Sequence, residues 1–308
     1  MTCKRLRARK SLYNAGTVLQ ELFYVYREKL FDKLIAKVEV KGRKLYVQEG
    51  LYPKPISSYD CVQTFPKGLF SNESDKRAVL VHLACSDAVC WMQEVVEDVL
   101  AGKILLINTL YVVGKLIMRI DVVSHITEIA VKPKNNKREV IAVAINGQEH
   151  TQESPHSIWK VVLKSTGESY ILDFSGAQFG YYEPVTPMIE YFQHRVLRVI
   201  SKGAENLGST RKCILGFSED KSIIGLLIRV HKDGHTCLRD GVLNWEEVSE
   251  MNVNDLLHLP PAKFKEELKN LLMCLVEACD EFLLWLKQRH DKVKADIDAG
   301  KKRPGVYD

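Results

Sequence analysis

A change in hydrophobic period constrains this chain more than any other feature: helical spacing at both ends encloses a β-rich middle. Within residues 11–36, Val18, Leu22, Tyr26, Leu30 and Leu34 recur every four positions, and Leu19, Phe23 and Phe31 widen the stripe. That spacing lines one face of an α-helix. A second helical run covers about 261–298, opened by Pro260-Pro261 and stopped by Gly300. Proline suits the first turn of a helix, and glycine the position just past its end. Between them, Ile107–Met118, Thr127–Val131, Glu139–Ile145, Ile158–Leu163 and Ser169–Phe174 are rich in β-formers and separated by Asn-Lys, Asn-Gly and Thr-Gly turns. Consecutive strands on short turns pair antiparallel. The expected fold class is α+β, a mostly antiparallel sheet flanked by N-terminal and C-terminal helices.

Shorter elements complete the expectation. A ribbon pairs Lys37–Val40 with Lys44–Val47 across Lys41-Gly42, and the Pro- and Ser-containing stretch 50–75 reads as loop. Helices are expected at 86–101, capped by Ser86 or Asp87 and stopped by Gly102, and at 186–202; strands are expected at 213–217 and 222–231. The organisation that follows is a basic arm (1–10), an α+β body (11–205), and a small strand pair with the C-terminal helix packed on that body (206–308).

Composition excludes several classes. With 46% hydrophobic and 27% charged residues over 308 positions, the chain can bury a core and does not resemble a disordered one. The most apolar stretch, Ile104–Ile120, is broken by Asn108, Gly114, Lys115 and Arg119, so no membrane span is expected. The start has no apolar leader, and the eight cysteines include no Cys-x-x-Cys pair. Reduced thiols in an intracellular protein, cytoplasmic or nuclear, are the expectation. Of the net charge of +5, Lys4, Arg5, Arg7, Arg9 and Lys10 supply all five; the other residues balance at 39 basic against 39 acidic. Nucleic-acid contact is therefore expected only through that arm.

Chemistry concentrates between His156 and Gln178. His156 opens one predicted strand and Asp173 ends the next, while Cys85 and Cys90 stand at the start of the predicted 86–101 helix. An imidazole that takes a thiol proton, oriented by a carboxylate, is the layout of a cysteine nucleophile. The order Cys, His, Asp along helix, strand, strand resembles the papain and transglutaminase-like superfamily. That resemblance implies cysteine-dependent acyl transfer or hydrolysis, with Cys85 or Cys90 as nucleophile, His156 as base, Asp173 as its orienter and Gln178 as oxyanion donor. Register speaks against assembly. A symmetric turn on Thr166-Gly167 sets His156 and Asp173 on one face but four residues apart, roughly 13 Å, so a hydrogen bond between them needs a bulge or a wider, asymmetric loop. A second candidate, His231-x3-His235-x-Cys237, has the spacing of metal ligands. A hairpin turn at Asp233-Gly234 would send its two histidines to opposite faces, which excludes it.

The segment Leu172-Asp173-Phe-Ser-Gly176-Ala177-Gln178-Phe-Gly180, with Arg7-x-Arg9-Lys10-Ser11-Leu12-Tyr13, resembles the body of fungal proteins carrying a MYND-type zinc finger. Cys3-Lys4 would correspond to the end of the finger, with Cys3 as its last ligand; the other seven ligands are absent from these residues. The resemblance implies zinc in the full-length family, no cofactor in this chain, and a protein partner. The leading expectation is thus a non-catalytic intracellular interaction or regulatory module. The cysteine enzyme is its alternative, and nucleic-acid contact through residues 4–10 the second.

Overall fold

The computed structural model describes residues 2–50, 57–101, 123–151, 154–200 and 205–301, so the expected strand Ile107–Met118 lies outside the described residues. Its helices are α1 (Thr2–Lys29), α2 (Glu73–Leu80), α3 (Cys85–Trp91), α4 (Gln93–Ala101), α5 (Met188–Arg195), α6 (Ser209–Leu215), α7 (Ile223–Gly234), α8 (Thr236–Ser249), α9 (Val253–His258) and α10 (Pro261–Asp298). Its strands are β1 (Ile35–Lys41), β2 (Lys44–Glu49), β3 (Val123–Pro133), β4 (Glu139–Val143), β5 (Glu149–Thr151), β6 (His156–Leu163), β7 (Ser169–Leu172), β8 (Val185–Pro187), β9 (Val196–Val199) and β10 (Glu205–Asn206). The fold is α+β, with mostly antiparallel sheets flanked by helices.

The first helix begins nine residues before the expected start at residue 11 and ends earlier than expected. Residues 2–10 hold no proline or glycine and are mostly good helix formers, so the helix extends through them. The basic arm is therefore the first turns of α1. Arg5 and Arg9 both clasp Glu168, Arg9 Nε donating to Glu168 Oε2 at 2.9 Å. At the far end the chain leaves the helix, and Phe31 exchanges backbone hydrogen bonds with Gln63. Leu30 and Phe31 stay fully buried outside the helix, so their spacing alone could not mark the boundary.

The strands form two sheets rather than one. In the first the order is β1-β2-β4-β5, and β2 runs parallel to β4. In the second it is β10-β3-β6-β7-β8, with β9 also on β3. Other expectations are corrected locally. The 50–75 loop contains 3-10 turns at Ser58–Cys61 and Lys67–Leu69 and the start of α2. The 86–101 helix is two helices meeting at Met92; its cap position is Ala84, not Ser86 or Asp87. The 186–202 helix is the shorter α5 between β8 and β9, whose β-branched Val185-Thr186 and Val196–Val199 go into the sheet. The predicted strands at 213–217 and 222–231 are helical. In the second, Ser222 caps α7 by accepting from the Gly225 N–H, and Leu226 and Val230 face inward one turn apart. A short apolar run fits helix or strand equally until packing decides.

The main core joins α1, α8 and α10 to one face of β6 and β7, through Trp159, Val161, Leu163, Tyr170 and Leu172. The opposite face, with Ile129, Val131, Ile158 and Ile171, is covered by Tyr191 and Val196 as a second small core. Helices α8 and α10 are packed tightly at Gly241, where an added Cβ would lie 2.6 Å from the Leu275 Cα. Backbone cannot yield as a side chain can. Gly241→Ala is expected to destabilise the fold by about 1–3 kcal/mol, measured by urea unfolding; an unchanged midpoint would contradict this packing. Among the described residues, no helix is long and apolar enough to cross a membrane.

Candidate active site

Hairpin length decides whether His156 and Asp173 meet. The turn is four residues, 164–167. Leu163 and Glu168 close it through a 2.9 Å backbone bond, and Gly167 takes the left-handed φ of +70°. Trp159 pairs with Leu172, so Asp173 falls level with Ile158 and two residues from His156, not four. The two side chains share the face of the small core and span that offset: His156 Nε2 lies 2.9 Å from Asp173 Oδ2. The register expectation is thus corrected by the wider loop.

Asp173 is held from several directions. Tyr191 Oη donates to its Oδ2 at 2.8 Å, and the Ser175 N–H donates to its Oδ1 at 3.2 Å. Burial pushes the Asp173 carboxyl up, but His156 and then Tyr191 outweigh it and leave it below its ordinary value. A buried carboxylate with this many donors is a fixed anion. It fixes the ring orientation of His156 in turn, with Phe179 edge-on to the imidazole at 4.9 Å.

Cys85 completes the set as the first residue of α3, whose short helix packs against β6. Its Sγ lies 3.7 Å from the Pro155 carbonyl oxygen, and it interacts with His156 and the Ser157 backbone N–H. His156 Nδ1 has no conventional hydrogen-bond partner among the described residues, so it is the ring nitrogen left for the thiol. Burial opposes ionisation of Cys85, yet the hydrogen bond and charge of His156 bring its pKa below 9.0. Burial likewise opposes charge on His156, and Asp173 outweighs it, raising the imidazole to about 10. The neighbouring imidazole thus favours the thiolate of Cys85, and Asp173 favours the charged form of His156, the combination that activates a cysteine nucleophile. The strained turn before Cys85 carries Leu83 at φ +61°, a conformation unfavourable for leucine.

The remaining candidates divide. Gln178 does not stand free as an oxyanion donor: its Oε1 accepts from the Leu83 N–H at 3.1 Å and its Nε2 donates to Ser175 O at 3.1 Å. It braces the turn that presents Cys85. Cys90 is fully buried in the main core, where burial pushes its thiol well up. Lys4, Arg7 and Lys10 are exposed on α1, while Arg5 and Arg9 are paired with Glu168. The side chain of Cys3 lies outside the described residues.

Neither a family model, nor a curated protein, nor a solved structure matches this chain. Geometry therefore carries the functional argument.

His231 and His235 do share a helix-like face, because Asp233-Gly234 ends α7 instead of turning a hairpin. They are already engaged: His231 Nδ1 lies 2.8 Å from Tyr26 Oη, and His235 Nδ1 donates to Lys232 O at 2.6 Å while Nε2 lies 2.9 Å from Arg211. Both rings also lie against Trp91. Among the described residues, no group of three or more His, Cys, Asp or Glu is arranged to hold a metal ion. Sequence reasoning missed Tyr191. Its only signal was an aromatic residue on α5, which nothing tied to Asp173 before folding.

Proposed function

We propose that this chain is a cysteine-dependent acyl-transfer or hydrolytic enzyme with Cys85 as nucleophile, His156 as acid–base and Asp173 as the orienting carboxylate. The observation that supports it most is the 2.9 Å bond from buried His156 to buried Asp173, with Cys85, its thiol pKa lowered, hydrogen-bonded to the same imidazole. The thiolate attacks a carbonyl carbon, forming the C–S bond. The imidazolium then gives its proton to the departing amine, alcohol or thiol as the carbonyl–leaving-group bond breaks. A thioester remains on Cys85. His156 next takes a proton from the incoming water or amine, which attacks the thioester and regenerates the thiolate. This favours the enzyme over the non-catalytic module that the MYND resemblance implied.

Incubation with a small acyl thioester near pH 8 is expected to add one acyl mass to the protein, mapped to Cys85 and cleaved by hydroxylamine. Cys85→Ala should take up none. Acylation that persists in Cys85→Ala, or that never forms on Cys85, would sink the proposal.

An interaction role is the second reading. It is favoured by Met273, Leu284 and Trp285, large apolar side chains left exposed along the 38-residue α10. A Leu284→Lys, Trp285→Lys variant that leaves partner capture or self-association unchanged would remove it.

A further inference from the structure

Beside the Cys85 turn lies a cavity of about 120 Å³, walled by Phe31, Leu34, Ile35, Val47, Val79 and Ala142. His82, Leu83, Lys33 and the exposed Glu49 complete its lining. His82 and Leu83 precede Cys85 by three and two residues. At 3.8 Å per residue, the Cα of the lining residue Leu83 is therefore within about 7.6 Å of the Cys85 Cα. Gln178 fastens this lining to the catalytic hairpin through its bond from the Leu83 N–H.

The walls are apolar, but three polar side chains meet them: the exposed Glu49, and Lys33 and His82. His82 is 5% exposed, and its Nε2 has no hydrogen-bond partner among the described residues. An orphaned buried polar atom costs stability unless something fills its demand. Lys33 Nζ donates to the His82 carbonyl oxygen, which leaves it further donors. A cation and an unsatisfied imidazole in an apolar pocket fit a chain that is aliphatic along its length and anionic at its end. A cavity of about 150 Å³ is enough for benzene, so this one suits an acyl chain of roughly four to five carbons.

We infer that this cavity is the acyl subsite of the enzyme and that it selects a short aliphatic acyl group ending in a carboxylate, of glutaryl type. The inference rests on the proposed acyl-transfer chemistry at Cys85. In this arrangement the carbonyl carbon sits at the sulfur, the methylene chain lies between Val47, Val79 and Ala142, and the terminal carboxylate meets Lys33 Nζ and His82 Nε2.

Rates of Cys85 acylation by acetyl, butanoyl, hexanoyl and glutaryl thioesters of one leaving group test it. Glutaryl should acylate at least tenfold faster than acetyl and faster than hexanoyl. Lys33→Met should collapse the glutaryl-to-hexanoyl ratio, and Lys33→Arg should largely retain it. Ala142→Phe, which fills the cavity from β4, should collapse the butanoyl-to-acetyl ratio. Equal rates across the series, or ratios that ignore these variants, would overturn the subsite. A binding measurement separates this from failure of the chemistry. Glutarate should bind the Cys85→Ala chain, seen by ligand-observed NMR, and lose that binding in the Cys85→Ala, Lys33→Met chain. Binding without any acylation would keep the pocket and remove the acyl-transfer reading; the absence of both would remove the pocket.

Discussion

Alkylation by iodoacetamide is expected to single out Cys85 and to follow a titration with a midpoint below pH 9. The reagent reads thiolate, and His156 lowers the Cys85 pKa in spite of burial. Competing thiols are disfavoured: burial raises Cys61 to about 11 and also raises Cys90 and Cys274, and a hydrogen bond with Cys237 together with burial raises Cys279. Among the described side chains, exposed Cys213 is the accessible rival and is best replaced by serine in the test protein. In His156→Gln the burial that opposes the thiolate is no longer countered, so the midpoint should move above 9. One pKa unit is tenfold in thiolate at pH 7, and the rate there should fall by at least about tenfold. Acyl transfer should fall further, by on the order of 10³ or more. The sign at high pH follows from the imidazole. His156 is raised to about 10, so the ion pair forms as Cys85 ionises and is lost as pH passes about 10. Activity should therefore be bell-shaped, with its falling limb near that value. An alkylation profile identical in wild type and His156→Gln would show that the two groups are not coupled.

Arg27→Ala is expected to produce the largest loss of stability, about 3–5 kcal/mol. The Arg27 side chain is fully buried, 2.7 Å from Asp32 Oδ1 and 3.5 Å from Asp87 Oδ2, with its guanidinium over the Phe31 ring. Removing it takes the guanidinium away from two carboxylates and empties the volume of its stem. The melting temperature should drop by on the order of 10 °C. Burial favours protonation of Asp32, but Arg27 outweighs it and holds the carboxyl well below its ordinary value. A depressed carboxyl contributes stability above its unfolded pKa of about 3.9 and loses it as pH falls. The difference between wild type and Arg27→Ala should accordingly be widest at neutral pH and narrow below about pH 4. A gap that stayed constant with pH would mean that packing of the stem, not the ion pair, carries the effect. Because Asp87 lies in the first turn of α3, this pair also anchors the helix that begins with Cys85.

The candidate site was half legible before folding. His156, Asp173 and Cys85 stand out by residue type and order, and strand alternation placed the first two on one face. Their level is not legible, because Thr166-Gly167 looks like a two-residue turn. Gly167 instead supplies the left-handed residue closing a four-residue loop, and that change slides the register by two residues. Gln178 stands out in the sequence, but its task depends on Leu83, 95 residues away in sequence. Tyr191 gave no signal, since a tyrosine on a helix is ordinary until the helix is laid over a particular carboxylate.

Sequence alone determined the elements whose cause is local. The apolar stripe of α1, the proline start of α10, the β1–β2 ribbon and the alternation of β6 all follow from side chains within a few residues of one another. Tertiary structure decided what depends on partners distant in the chain. The run 222–231 becomes a helix because its apolar side packs inward, β2 finds β4 across almost a hundred residues, and Cys85 meets His156 only when α3 docks on β6. Local spacing specifies which face a side chain occupies. Which group stands opposite that face is settled by packing of the whole chain, and the proposed chemistry depends on that pairing.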